Sequence, residues 1–329
     1  MPERRVVFVI RRLAALAATI IIAPAVSYVV FDTLSKDHIA PGETIEGLVE
    51  WETAFLFHYD LGYSDYYDRD ITWVLERGFP ADITMLLGGM AFGLASGVAG
   101  GLLAVARPRS PLTRIMDVLA GLGVSMPVYW MGFAVLMLVA ADTGLFVQLP
   151  FVSAAASYEF LPSDPIAFVF SLWVPCVVVG TALSAGVYRM TIGASRDVLG
   201  EDFVRAARAK GLSTRGTLVR HVFPVAAIPV LVLAAAQVNL LIMNTALMQV
   251  AFNIPGGLRE MKDALDSGDT IMLQALVTYG CIMIALANMI ADLLQAWLDP
   301  RVRVETFGTR QPRPLRVRRR RGAEQPRLG

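Results

Sequence analysis

The chain has 329 residues, of which 55% are hydrophobic, with a mean hydropathy of +0.55 and a formal net charge of +1. That apolar share exceeds the share in an ordinary soluble domain and places the chain in a membrane class. Its 2 cysteines, Cys176 and Cys281, both fall in apolar runs and imply no disulfide framework.

Crossing a hydrocarbon core takes about 20 apolar residues. The first such run is Leu13 to Phe31, preceded by Arg4, Arg5, Arg11 and Arg12. A secretory signal peptide has the same charge order, but its apolar core is only about 7–15 residues long. A retained first span, with residues 1–31 as cytoplasmic terminus plus span, is the better reading. Residues 32–79 carry eleven acids against three bases and are rich in Trp and Tyr. An ordered external cap is expected, with Ile45, Leu48, Val49, Phe55 and Leu56 on one helical face. Its aromatic residues suit either the lipid–water boundary or the docking of an external partner.

The second span, Ile83 to Ala106, holds Gly89, Gly93, Gly97 and Gly101 at intervals of four. Such a ridge lets a neighbouring helix approach closely, and contact of this kind drives helix association in lipid. Further spans are expected at Ile115 to Ala141, Ile166 to Val187, Val225 to Phe252 and Ile271 to Leu298, six in all. Only Lys36, Arg69, Arg77, Arg259 and Lys262 of the 29 Lys and Arg fall in odd-numbered connections. Basic residues mark the cytoplasmic side, so both termini, the 107–114 loop and the 189–220 loop are expected inside. The tail, residues 304–329, is rich in arginine and lacks apolar periodicity, which predicts disorder. Beside a membrane span it suits anionic lipid better than nucleic acid.

A pump needs an energy source, yet no phosphate loop is present. The 3 lysines precede Asp37, Gly211 and Asp263, never Ser or Thr. His38, His58 and His221 form no catalytic or metal-ligand spacing. Asp292, near the inner end of span six, is the ionisable residue that stands out within the apolar runs. It could drive a self-sufficient carrier, or merely pair with Arg301 or Arg303. Gln237 and Asn244, seven apart on one helix face, and Gln249 further out, could line a path or bond between helices.

The polar stretch Glu201 to Ser213, "EDFVRAARAKGLS", lies between two apolar runs. Glu201 and Asp202 suit the positive end of a short helix, Lys210 the negative end, and Gly211 its termination. Glu201 can reach Arg205 across one turn. Phe203, Ala206, Ala207 and Lys210 form the opposite stripe, and Ser213 can cap the next helix. Such a helix either connects to another protein or simply joins two spans.

The stretch "GEDFVRAARAKGLSTRGTLVRH" closely resembles the cytoplasmic loop of the permease subunits of ATP-binding-cassette importers, in the dipeptide, oligopeptide and nickel group. "DLGYS" at Asp60, "SMPVYWMG" at Ser125, "NMIADLL" at Asn288 and "DPRVR" at Asp299 look like the same subunits. The resemblance implies an all-α membrane protein with the six-helix permease fold, residues 80–303 forming the transmembrane core and 189–222 its coupling loop. It implies a coupling helix at Phe203, Arg205, Ala206, Ala207, Arg208, Lys210 and Gly211. Ser125 and Met126, with Gln237 and Asn244, become candidates for the translocation path, and Asn288 joins Asp292 as a residue of interest. The implied partners are a second permease subunit, two ATP-binding subunits and an external substrate-binding protein. ATP and magnesium would sit on those partners, and no cofactor is expected on this chain. Peptide is the implied cargo, with a nickel chelate or another small solute as the alternative. Arg205 stands where importers in general carry Glu, and Pro224-Val225 where the group usually carries Arg-Asn. Pro224 and Pro229 are expected to bend or interrupt the start of span five.

Overall fold

The computed structural model describes residues 2–34, 41–139, 161 and 164–298. In chain order the helices are α1 (Pro2–Leu34), α2 (Pro41–His58), α3 (Ile71–Ala106), α4 (Pro111–Ser125), α5 (Val128–Val139), α6 (Pro165–Leu199), α7 (Asp202–Ala209), α8 (Thr214–Thr217), α9 (Phe223–Ala236), α10 (Val238–Phe252), α11 (Gly257–Ser267) and α12 (Thr270–Leu298). A small antiparallel hairpin of β1 (Tyr63–Ser64) and β2 (Arg69–Asp70) precedes α3, and a π-helical turn, Leu218–Val222, links α8 to α9. The stretch Asp299 to Arg303, the expected pairing of Asp292 with Arg301 or Arg303, and the tail lie outside the described residues.

Among the described residues, five helices are long and apolar enough to span a membrane by themselves, and two further pairs are bent. The expected third span is one of these pairs: α4 and α5 meet at 118° across Met126 and Pro127. The cause is local. A residue before proline is driven from the helical region, and Met126 sits extended at φ −91°, ψ 130°. The expected fifth span is likewise divided at Gln237, into α9 and α10, and α10 then turns by 62° into α11. Asn253 makes that last bend by taking the left-handed conformation, φ 54°, which asparagine tolerates better than most residues.

The core of the bundle is the pairing of α3 with α6, the most extensive helix contact in the protein. The glycine ridge makes it possible. Gly89 lies against Val179, Gly93 against Leu183, Gly97 against Val187 and the Ser184 carbonyl, and Gly101 against Thr191. From α6, Gly180 returns the contact by resting on the Gly89 carbonyl. Val179, Leu183 and Val187 are buried in the cluster so formed, together with Met85, Leu241 and Met248. The four glycines spaced four apart thus lie along α6.

α3 has 36 residues, about 54 Å at 1.5 Å per residue, and begins well before the expected Ile83. Glu76, Arg77 and Asp82 break the apolar run without breaking the helix, and Pro80 is accommodated inside it. Its first turns join the segment that sequence marked as a cap. Ile71, Val74 and Leu75 pack with Leu61, Ala264, Met272, Ala275 and Leu276, and Trp51, Phe55 and Tyr67 close over them. In α2 the packed side is thus Trp51 and Phe55, whose rings stack at 5.8 Å, while Ile45, Val49 and Leu56 stay exposed. Aromatic area outweighs the aliphatic stripe in setting that rotation.

Candidate functional site

α7 begins after Gly200, and the structure shows how an eight-residue helix too short to stand alone is held. Val204 is completely buried, and with Leu218 and Val222 of the π turn it packs against Leu102, Val105 and Ala106 of α3 and Val198 and Leu199 of α6. Ala207 is buried on the same side. Phe203, Arg205, Ala206, Arg208 and Lys210 face outward. Ala207, expected on the outward stripe with Phe203, thus belongs to the anchoring face, because Val204 one position on from Phe203 turns that side inward.

The ends of α7 differ in detail from expectation. Glu201 occupies the N-cap position without a side-chain capping bond. Arg205 pairs with Asp202 at 3.5 Å, one turn away in the other register, and its guanidinium donates to the Gly200 carbonyl at 3.0 Å. Both partners of the pair are exposed, so its contribution is small. The C-terminal stop is as expected: Gly211 takes φ 83°, and its N–H donates to the Arg208 carbonyl at 2.9 Å. Ser213 caps α8 by accepting from the Gly216 N–H at 3.2 Å.

The π turn follows directly. The Phe223 N–H reaches back five residues to the Leu218 carbonyl. Pro224 has no N–H to give to the next carbonyl in either an α or a π pattern, so the irregular turn falls where proline removes the competing bond. Pro229, by contrast, lies inside α9 without ending it.

The candidates for a path are dispersed. Ser125 and Met126 are exposed at the break between α4 and α5, and Val128 just beyond it packs in the same core as Val238 and Ile242 of α10. Gln237 is half-buried at the junction of α9 and α10. Asn244 is buried in α10, and its Nδ2 has no partner among the described residues. No hydrogen bond joins Gln237 to Asn244 among the described residues.

Asp292 is held by Arg12 of α1, with an N–O distance of 2.9 Å. The two line a cleft of about 380 Å³ with Thr19, Cys281 and Asn288. The pairing expected of Asp292 is thus made, with Arg12 as the partner. Arg12 is 42% exposed, so the pair is worth about 1 kcal/mol or less. Asp292→Asn is accordingly expected to lower thermal stability in detergent only slightly. A large drop in the unfolding temperature would contradict this.

Sequence reading missed Asp82 because it stands one residue before the apolar run of the second span. It is 3% exposed and accepts three hydrogen bonds, from the Gln249 amide, the Gly257 N–H at 3.0 Å and the Tyr279 hydroxyl at 2.5 Å. Asp117, two residues inside the expected third span, was also overlooked; it accepts from Tyr188 at 2.6 Å, joining α4 to α6. Nearer the hairpin, Tyr67 donates to Glu260 of α11, and Arg259 pairs with both Glu260 and Asp263 at 3.2 Å. Burial, with the Glu260 carboxylate adding to it, pushes the Tyr67 phenol up from its ordinary pKa. Ser64 donates to Asp269 at 2.6 Å. Among the described residues no group of three or more His, Cys, Asp or Glu is arranged to hold a metal ion.

Long apolar helices locked by glycine contacts, with a short polar helix wedged against their ends, describe a multi-span membrane protein. The chain belongs to the family of binding-protein-dependent transport system inner membrane components, whose profile matches residues 96–304. It is similar to the dipeptide transport system permease protein DppB of Escherichia coli (strain K12), 31% identical over 267 residues, or 75% of this chain and 78% of that protein. The di/tripeptide transport system permease protein DppB of Pseudomonas aeruginosa (strain UCBPP-PA14) is 30% identical over 238 residues, 68% of this chain and 71% of that one. The dipeptide transport system permease protein DppB of Haemophilus influenzae is 29% identical over 242 residues, with coverages of 68% and 71%. The chain is thus a multi-pass inner-membrane protein, the permease subunit of an ATP-binding-cassette importer rather than an enzyme, and it works in a complex with other subunits.

Proposed function

We propose that this permease imports di- and oligopeptides by alternating access, forming half of the translocation path beside a second permease subunit. Two ATP-binding subunits supply the energy, with ATP and magnesium bound on them, and an external substrate-binding protein delivers cargo. Both termini lie in the cytoplasm, as the distribution of Lys and Arg favours. α7 docks in a groove of an ATP-binding subunit through Phe203, Arg205, Ala206, Arg208 and Lys210, while Gly211 sets the turn behind it. The observation that carries the cargo assignment is the agreement of the similar permeases on peptide, in three organisms and over two thirds or more of each chain.

The coupling role rests on the two-sidedness of α7. A helix buried on one side against three elements of its own chain and exposed on the other can pass movement from a partner into the bundle. The test is to purify the intact complex, reconstitute it in liposomes with its binding protein, and compare ATP-dependent uptake of a labelled dipeptide, a longer peptide and a nickel chelate. Peptide uptake is expected. Uptake of the nickel chelate alone would reassign the cargo, and a native complex without an ATP-binding subunit would overturn the mechanism.

A further inference from the structure

A single buried carboxylate ties three helices to α3. Asp82 accepts from Gln249 near the end of α10, from the backbone N–H of the first residue of α11, and from Tyr279 of α12. Gln249 and Gly257 flank the bend between α10 and α11, and Tyr279 reaches it from α12. The backbone there is drawn in as closely as chain geometry allows. A Cβ on Gly78 would lie 2.8 Å from the Gly257 nitrogen, one on Gly257 would meet the Tyr279 ring, and one on Gly256 would overlap the Gln249 amide.

A carboxylate is expensive to bury in a bundle that spans lipid. Each of the three bonds it accepts comes from a neutral donor: an amide, a backbone N–H and a phenol. Apolar packing would serve stability as well or better at such a place. What the carboxylate offers instead is a set of directional bonds that hold one geometry and can be broken together.

Two further observations point to an alternative geometry. Asn244 Nδ2, Thr245 Oγ1 and Gln249 Oε1, from the middle of α10 onward, are buried without a partner among the described residues. Buried polar atoms are nearly always bonded, so the geometry seen here leaves α10 with polar groups that another arrangement could satisfy. In addition, α10 continues the chain segment that starts at α7 and passes through the π turn and α9. Displacement of α7 therefore reaches the bend along one covalent path.

We propose that Asp82 is a clasp: a positioning residue that holds the α10–α11 elbow closed, and whose release lets that elbow swing during the transport cycle. The inference rests on the importer reading given above. Ile254, 3% exposed inside the elbow, is the reporter. In the reconstituted complex, with Cys176 and Cys281 replaced by alanine, Ile254→Cys is to be labelled with a membrane-impermeant maleimide, with and without ATP. Asp82→Asn keeps the side-chain shape and removes the charge, and Tyr279→Phe removes only one donor. An open state about 0.1–10% populated can become the major one when its competitor is weakened. Both variants are therefore expected to speed labelling without ATP, Asp82→Asn by about tenfold or more. ATP hydrolysis should lose its dependence on the binding protein, and peptide uptake should fall.

Unchanged labelling in both variants, with uptake at the wild-type rate, would overturn the clasp. So would failure of Asp82→Asn, Asp82→Glu and Tyr279→Phe alike to accumulate in the membrane, which would make Asp82 a purely structural residue. If both variants label faster than the Ile254→Cys parent but the parent complex takes up no peptide, the cargo assignment fails and the clasp stands, because labelling does not depend on cargo.

Discussion

Gly211→Pro is expected to abolish ATP-driven uptake while leaving the protein in the membrane and in its complex. Gly211 takes φ 83°, and proline locks φ near −65°. The same change deletes the N–H that closes the last turn of α7 on the Arg208 carbonyl. No other atom lies within 4 Å of where a Cβ would stand, so the damage is confined to the backbone path that aims α7. The buried anchor of Val204 and the α3–α6 core are untouched. Substitutions should rank by their tolerance of a left-handed residue: Asn is expected to be mild, because its short polar side chain suits that region. Alanine should cost about 1–2 kcal/mol of local strain and reduce uptake, and proline should eliminate it. Uptake and ATP hydrolysis measured together on the reconstituted complex decide the matter. Normal uptake by the proline variant would remove α7 from the coupling role.

The second large effect lies in the bundle. Gly97→Ala is expected to destabilise the protein by about 1–3 kcal/mol, the usual cost of overpacking, and Gly97→Leu to prevent accumulation. A Cβ at Gly97 would stand 2.7 Å from the Ser184 carbonyl oxygen and 2.7 Å from Val187. The carbonyl belongs to a helix backbone and cannot rotate aside, so α3 and α6 must separate along their whole contact. Gly193, on the same α6, is the control. A Cβ there meets nothing within 4 Å, and alanine gains about 1 kcal/mol of helix propensity over glycine. Thermal unfolding in detergent should place Gly193→Ala at or above wild type and Gly97→Ala well below it. Equal stability of the two would mean that the glycine ridge is not a packing face.

Much of this was legible because it is written in local patterns. The ridge was visible because small residues four apart lie on one helix face, whatever packs against them. α7 was visible because charge at its ends and Gly211 after it terminate a helix by short-range chemistry. The bends were harder. Pro127 signals its own break, but the division at Gln237 and the turn at Asn253 lie inside or just beyond an apolar run that reads as one span.

Pairings distant in sequence were not legible. Nothing near Asp292 identifies Arg12 as its partner, since the two meet only when α1 lies along α12. Asp82 was hidden by a different cause. Hydropathy sets a span's start where polar residues stop, whereas a helix continues through any residue whose polar group finds a bond. A periodic stripe, finally, separates the two faces of α7 without saying which is turned to the protein, so Ala207 was placed on the outward side.

The π turn has a geometric consequence for everything beyond it. A helix that accommodates one surplus residue turns its continuation through about 100° and advances it by about 1.5 Å relative to an uninterrupted one. Because Pro224 supplies no hydrogen to close the regular pattern, that offset cannot be annealed by sliding the surplus along the chain. α9 is thereby indexed to α7 at a set azimuth, like two gears keyed on one shaft. Under the proposed coupling role, a displacement of α7 reaches α9 at that azimuth, and loss of one residue between Leu218 and Val222 is expected to shift the phase between the two helices without touching either.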